Sequence, residues 1–255
     1  MTPLCILFAK FKEVFLLNNF PTIKKLIKTA FIPLGHTMYV YGGGWTEEDT
    51  FASLEARTIG ESSAWRNFFL TQSSSYNFKN FLHCSTLGLD CTGYIGWVIY
   101  NLLNTQDNLC GYVFKSNELG YRLEELGLGS VSECSSPLTH RCGDIFFSPK
   151  HSHAYISLGE CADKSVLLLH SSPPGVILSG TPSPRYCSSR SQAQRCARKF
   201  MQANHPNWHA KFPQSDRGAD YLCDYHRFRF HKLIVRDPDE LSLCSAADIL
   251  SVFSK

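Results

Sequence analysis

The stretch of residues 90–104 constrains the fold of this chain more than any other. Its apolar side chains recur every three or four positions, which predicts a helix with a buried face: Tyr94, Ile95, Val98, Ile99, Leu102 and Leu103. Glycine lowers helix stability by about 1 kcal/mol relative to alanine, yet Gly93 and Gly96 lie inside this segment. Their presence predicts that a sheet or a bound substrate approaches this face of the helix closely.

Cys91 falls at the start of the predicted helix, directly after Asp90, which is a good N-cap residue. A helix start offers unpaired backbone N–H groups and a partial positive charge, and both favour the nucleophilic thiolate. The same N–H groups can donate to an oxyanion. Taken alone, a cysteine at this position is more readily explained as a small buried residue of the core.

The other cysteines give no framework for a metal or for disulfides. The chain has eleven cysteines, an odd number, and no Cys-x-x-Cys pair. A structural zinc site usually draws two ligands from such a pair, so we predict no metal site and no other cofactor. A cysteine-rich chain without an evident disulfide framework leans towards a reducing compartment.

The composition sets loose limits on partners. The chain has 255 residues, of which 44% are hydrophobic, and a formal net charge of +3. This charge is small and gives no reason to expect a nucleic acid partner. Residues 3–9 form an apolar run that is too short to cross a bilayer, so we predict no stable membrane insertion. The helical spacing of apolar residues favours an amphipathic helical segment within residues 1–32.

Two histidines provide the partners that a nucleophilic cysteine needs. In residues 153–159, Ala154, Ile156 and Leu158 alternate as one face of a strand, and His153 falls on the opposite face. The next predicted strand, residues 166–171, carries His170. A symmetric hairpin closed by residues 159–164 places the two imidazoles directly opposite each other, so that one can orient the other. This predicts Cys91 as the nucleophile, His153 as the base and His170 as its partner.

The remaining patterns predict a mixture of helices and strands. Helical spacing marks residues 62–72, 116–126, 192–202 and 245–253. Branched and aromatic residues mark strands at 143–147 and 228–235. Residues 171–191 are rich in Ser, Pro and Gly, which is typical of a loop.

Four motifs in order resemble the NlpC-type cell-wall cysteine peptidases, which are papain-like. They are Tyr39-Val40-Tyr41-Gly42-Gly43, Asp90-Cys91-Thr92-Gly93-Tyr94-Ile95, Gly143-Asp144-Ile145-Phe146-Phe147 and the strand from His153 to Gly159, with His170 at the position of the third polar residue. The resemblance covers about residues 25–172. It implies an α+β fold with a central antiparallel sheet packed on helices, and with the nucleophile at a helix N-terminus.

The resemblance also implies a reaction, a substrate and a location. The expected activity is hydrolysis of amide bonds in peptidoglycan stem peptides or muropeptides, of the D-glutamyl to diamino acid type. Tyr39, Asp90 and Thr92 are the expected substrate-binding residues, and the latter two help to bind the free amine of the stem. The resemblance implies the cell envelope or secretion, whereas the lack of a clear signal peptide favours the cytoplasm.

The chain departs from this pattern in three places. Thr92 replaces a serine, residues 46–88 form a long insertion, and residues 172–255 form a C-terminal extension that completes a domain spanning residues 33–255. Aromatic and charged residues of the insertion, Trp45, Glu47, Glu48, Asp49, Arg57 and Trp65, either rim a cleft or belong to a solvated excursion. Two alternatives remain: a hydrolase or acyltransferase for amides or thioesters outside the cell wall, and a non-catalytic binding module.

Overall fold

The computed structural model describes residues 20–103, 110–133, 139–184 and 190–253. Seven α-helices are present in these ranges: α1 Ile23–Phe31, α2 Ser63–Thr71, α3 Cys91–Leu103, α4 Leu119–Glu125, α5 Gln192–Asn204, α6 Pro206–Lys211 and α7 Ala246–Phe253. Eight strands form one sheet: β1 Met38–Tyr39, β2 Gly88–Leu89, β3 Gly129–Ser132, β4 Ile145–Ser148, β5 His153–Glu160, β6 Val166–Ser172, β7 Gly175–Gly180 and β8 His226–Phe230.

The strands lie in the order β2-β1-β7-β6-β5-β4-β8-β3. The pairs are antiparallel except for β1 with β2. The chain is therefore α+β, with a largely antiparallel central sheet packed on helices. Among the described residues, no helix is long and apolar enough to cross a membrane.

Helix α3 is the centre of the molecule. All its residues are buried except Asn101, so it behaves as a core helix with no solvated face. It packs against β5 and β6 and against helix α1. The close approach predicted at its glycines is confirmed, and loops make it: a Cβ on Gly93 would lie 2.0 Å from the Gly43 carbonyl oxygen, and one on Gly96 would lie 2.5 Å from Val113.

The insertion of residues 46–88 is fixed to this core. Trp65 of α2 is fully buried, and its ring meets the Trp97 ring of α3 at 5.7 Å between centroids. Trp97 also donates through Nε1 to the Gly60 carbonyl at 3.1 Å. Trp65 is therefore a core residue and does not rim a cleft, while Trp45 and Asp49 do line one.

Two predictions along the chain are wrong. The predicted loop of residues 171–191 contains β7, whose side chains are all buried between β6 and β1. Its short apolar core, Val176 to Leu178, is flanked by the Ser, Pro and Gly residues that produced the loop prediction. The predicted strand of residues 228–235 ends early, at Phe230. A turn begins at His231, whose carbonyl accepts from the backbone N–H of Val235 at 3.0 Å.

Candidate active site

Cys91 is the first residue of α3 and lies in a cleft of about 370 Å³. Its side chain is largely buried, with 8% exposed. Burial and the neighbouring Asp90 carboxylate raise the pKa of the thiol to about 12, while the backbone N–H groups of Ala154, Thr92 and Cys91 itself act to lower it. The sulfur is therefore held as a thiol at neutral pH, within reach of three N–H donors that would stabilise a negative charge.

Asp90 caps the helix that Cys91 begins. Its Oδ1 accepts from the backbone N–H of Gly93 at 2.7 Å and from the Thr92 hydroxyl at 3.2 Å. Burial raises the pKa of Asp90 to about 6, although these hydrogen bonds oppose the shift. Asp90 is also one of the residues that line the cleft.

The two other predicted substrate-binding residues line the same cleft. The Thr92 hydroxyl accepts from the Trp45 indole N–H at 3.3 Å and donates to Asp90, so it is already held by two partners. Tyr39 ends β1 and packs edge-on against Phe78 at 5.3 Å. Burial raises the pKa of Tyr39, with Cys91 and Asp90 adding to the shift, which places the phenol close to both.

His153 and His170 are in direct contact. Nε2 of His153 lies 2.8 Å from Nδ1 of His170, and the two rings meet at 76°. Burial lowers the pKa of His153 to about 3, and the positive charges of Arg217 and His151 contribute. Burial and Arg217 likewise lower the pKa of His170, which is fully buried. Both imidazoles are therefore neutral in this arrangement.

The histidines meet in a different register from the predicted one. The hairpin pairs Ile156 with Leu169 and Glu160 with Val166, with a bulge between Ser157 and Gly159. Continuing this register from Ile156 places Tyr155, not His153, opposite His170. The predicted direct opposition is wrong because β5 continues to Glu160, whereas the prediction began the turn at Gly159, and because the bulge then changes the register by one residue. The imidazoles still touch because diagonal neighbours on one sheet face are within reach of aromatic side chains.

The cysteine and the histidine pair adjoin without a hydrogen bond between them. The Cys91 sulfur accepts from the backbone N–H of Ala154, the residue that follows His153. Tyr221 connects the two sides: its ring packs edge-on against both imidazoles, at 5.4 and 5.5 Å, and its pKa is raised in part by Cys91. Between these described residues, however, the thiol and the His153 ring share no hydrogen bond. Such bonds are often long before a substrate binds.

The C-terminal extension supplies two residues that the sequence did not reveal. Tyr221 accepts from the Tyr155 hydroxyl through its backbone carbonyl at 2.8 Å, which ties it to the sheet face that carries the histidines. Arg217 donates through Nε to Nε2 of His170 at 3.1 Å. No spacing rule links either residue to the motifs, because β7, α5 and α6 lie between His170 and both of them.

The cleft carries charges of both signs. Asp49 and Asp90 lie on it together with Lys115, which forms no ion pair with any described residue. No group of three or more His, Cys, Asp or Glu side chains within the described part of the chain is arranged to hold a metal ion. Comparisons with protein-family models, with curated proteins and with solved structures found no match.

Proposed function

We propose that this protein is a papain-like cysteine hydrolase that cleaves amide bonds in peptidoglycan stem peptides. The observation that carries the proposal is a cysteine at a helix start on a cleft, whose sulfur accepts from the backbone N–H beside His153, one of two hydrogen-bonded histidines. Each part has a role in acyl transfer: nucleophile, base and orienting group. A binding module would have no use for this combination.

The first step transfers a proton and forms a bond together. Cys91 is a thiol at neutral pH, so His153 takes its proton as the sulfur attacks the substrate carbonyl. The backbone N–H groups around the sulfur donate to the oxyanion of the tetrahedral intermediate. The imidazolium then gives its proton to the leaving amine, and the thioester acyl-enzyme remains. Water, deprotonated by His153, hydrolyses the thioester and regenerates the thiol.

The charges of the cleft support a small zwitterionic substrate. Asp90 is suited to pair with a free ammonium group beside the scissile carbonyl, and such a charge-assisted bond is stronger than a neutral one. Lys115 is suited to a carboxylate on the opposite part of the ligand. A stem peptide that begins with a free amine and contains D-glutamate and a diamino acid carries both groups.

The test uses defined substrates and two matched variants. Stem tripeptides and tetrapeptides, ordinary L-peptides and acyl thioesters are incubated with the wild-type protein, with Cys91→Ala and with Cys142→Ala. Cys142 is also buried but is not among the residues that line the cleft. We expect the wild type and Cys142→Ala to cleave the stem peptides, and Cys91→Ala not to cleave them. Turnover of thioesters but not of stem peptides would assign the protein to hydrolases or acyltransferases acting outside the cell wall. No Cys91-dependent turnover of any substrate would reject the enzyme.

A further inference from the structure

A base can accept a proton only at a nitrogen with a free lone pair. The contact with Arg217 determines which ring nitrogens of His170 and His153 have one. Arginine has no acceptor, so its Nε–H must donate to Nε2 of His170 across their 3.1 Å contact. Because Nε2 accepts, the proton of the neutral His170 ring lies on Nδ1. The geometry therefore fixes the tautomer of His170.

The tautomer of His170 then fixes that of His153. The Nδ1–H of His170 donates to Nε2 of His153 at 2.8 Å, so Nε2 is an acceptor and the proton of His153 lies on Nδ1. The lone pair on Nε2 of His153 then accepts from His170, and Nδ1 of His153 already carries a proton. In this state it has no place for the proton of Cys91.

The opposite pair of tautomers can form with residues of β5, β6 and β7 alone. Ser179 of β7 lies 3.1 Å from Nε2 of His170 and can accept a hydrogen bond as well as donate one. If Nε2 of His170 carried the proton and donated to Ser179, Nδ1 would accept from Nε2–H of His153. Nδ1 of His153 would then be free to take the thiol proton, and the resulting imidazolium would keep its hydrogen bond.

We propose that Arg217 is a positioning residue that fixes the tautomers of His170 and His153, so that His153 becomes a competent base only when the Arg217–His170 hydrogen bond opens. This inference rests on the proposed roles of Cys91 and His153. The proton shared by the imidazoles shifts from Nδ1 of His170 to Nε2 of His153. His153 loses its Nδ1 proton to water, and Nε2 of His170 gains one from water, so the number of protons is unchanged.

Arg217 is held against Gly180, the last residue of β7. Its backbone N–H donates to the Gly180 carbonyl at 2.9 Å, and its Nη1 donates to the Asp216 carbonyl at 3.0 Å. Burial lowers the pKa of its guanidinium, so keeping this charge beside two imidazoles costs free energy. The other titratable and charged groups that act on the pair or on the guanidinium are His151, Asp216, Asp220 and Tyr221.

The first test reads the tautomers directly. Long-range ¹H–¹⁵N correlation spectra of the full chain, labelled at histidine, report which ring nitrogen carries the proton at pH 7.5, with assignments from His153→Gln and His170→Gln. We expect both rings of the wild type to be protonated at Nδ1. In Arg217→Met we expect His170 to be protonated at Nε2, whereas the control Arg227→Met, at a partly buried arginine of β8, leaves the spectrum unchanged. A wild-type His170 protonated at Nε2 overturns the proposal by itself, even if Arg217→Met does not fold.

The second test needs no substrate. The rate of Cys91 alkylation by iodoacetamide at pH 7 is followed by peptide mass spectrometry, with the exposed Cys244 as an internal reference. Loss of the guanidinium lets His153 accept the thiol proton, so we expect alkylation about tenfold faster in Arg217→Met, which corresponds to one pKa unit. An unchanged or slower rate contradicts the proposal. If alkylation is faster but no substrate is cleaved, the tautomer inference stands and the proposed function fails.

Discussion

The candidate site has a cysteine side and a histidine side, and the chain builds them in different ways. The cysteine side is compact in sequence: Asp90, Cys91 and Thr92 are consecutive, and their helix start places them on one cleft. The histidine side is assembled from three strands and a distant segment, through His153, His170, Ser179 and Arg217. The cysteine side places the sulfur among N–H donors, and the histidine side controls whether His153 can accept the thiol proton.

The largest effect is expected on the cysteine side. Cys91→Ala removes the only thiol among the described residues that line the cleft, so hydrolysis of stem peptides should fall to the uncatalysed rate while the fold remains. The measurement is kcat/KM together with circular dichroism. Activity that survives in Cys91→Ala and disappears in Cys142→Ala would move the nucleophile to another part of the molecule.

The next effect tests the histidine side. His153→Ala leaves the thiol without a proton acceptor, and general acid–base catalysis typically contributes about 10²–10⁴-fold. We expect kcat to fall by about this factor, with a smaller change in KM. A variant at the exposed His231, His231→Gln, is the control. A fall of less than about tenfold in His153→Ala would mean that another group accepts the proton.

The same imidazoles should make the folded state sensitive to acid. The pKa of His153 is lowered to about 3 and that of His170 is lowered as well, so the unfolded chain binds protons below pH 6.5 that the folded chain does not. Stability is therefore unaffected above pH 6.5 and is lost as pH falls towards 3, by about 1.4 kcal/mol per pH unit for one imidazole. The pKa of Asp90 is raised to about 6, so protonation of this carboxyl group stabilises the folded state as the pH falls from 6 to 4.

Urea unfolding of wild type and of His153→Gln/His170→Gln at pH 7 and pH 4.5 isolates the contribution of the histidines, since Asp90 is present in both proteins. We expect the wild type to lose about 2 to 3 kcal/mol more than the double variant for His153 alone. Equal losses in the two proteins would mean that the imidazoles are already charged in the folded state.

A smaller effect is expected at the orienting residue. His170→Gln keeps an acceptor for Nε2–H of His153, because the amide oxygen can hold the ring, so we expect kcat to fall only about tenfold. Loss of activity equal to that of His153→Ala would exchange the roles of the two histidines. The comparison is meaningful only if both variants keep the wild-type thermal midpoint, which circular dichroism reports.

The difference between the two sides also explains which features the sequence could predict. A helix start and its cap are local, so residues 90–104 predicted them together, and α3 extends over Cys91–Leu103. The role of Cys91 as the nucleophile stays a prediction. The strand and helix patterns predicted a mixture of helices and strands, and the α+β fold with a central antiparallel sheet was expected from the resemblance of the four motifs. The bulge between Ser157 and Gly159 shifts the register by a single residue without a sequence signal of its own. Arg217 and Tyr221 were missed because contacts between distant segments depend on how the chain returns to the sheet.

The smallest expected effect concerns Asp90, which we propose serves both the helix cap and the substrate. Asp90 caps α3 through Oδ1 and lines the cleft, so capping and amine recognition are both possible from one position. A site built around a charged pair discriminates against ligands that leave the charge unpaired. We therefore expect the wild type to prefer a free stem tripeptide over its N-acetylated form by about tenfold in kcat/KM, the equivalent of roughly 1.4 kcal/mol.

Asp90→Asn separates the two roles because asparagine keeps the capping oxygen and removes the negative charge. The variant should fold with little change in stability and should lose most of the preference for the free amine, while its rate on the acetylated peptide stays close to that of the wild type. Because the pKa of Asp90 is raised to about 6, the preference should also weaken in the wild type as the pH falls below 6 and the carboxylate is protonated. A wild type that cleaves both peptides equally at pH 7 would leave Asp90 as a helix cap only, and the specificity of the cleft would then have to come from Lys115 and the aromatic residues around it.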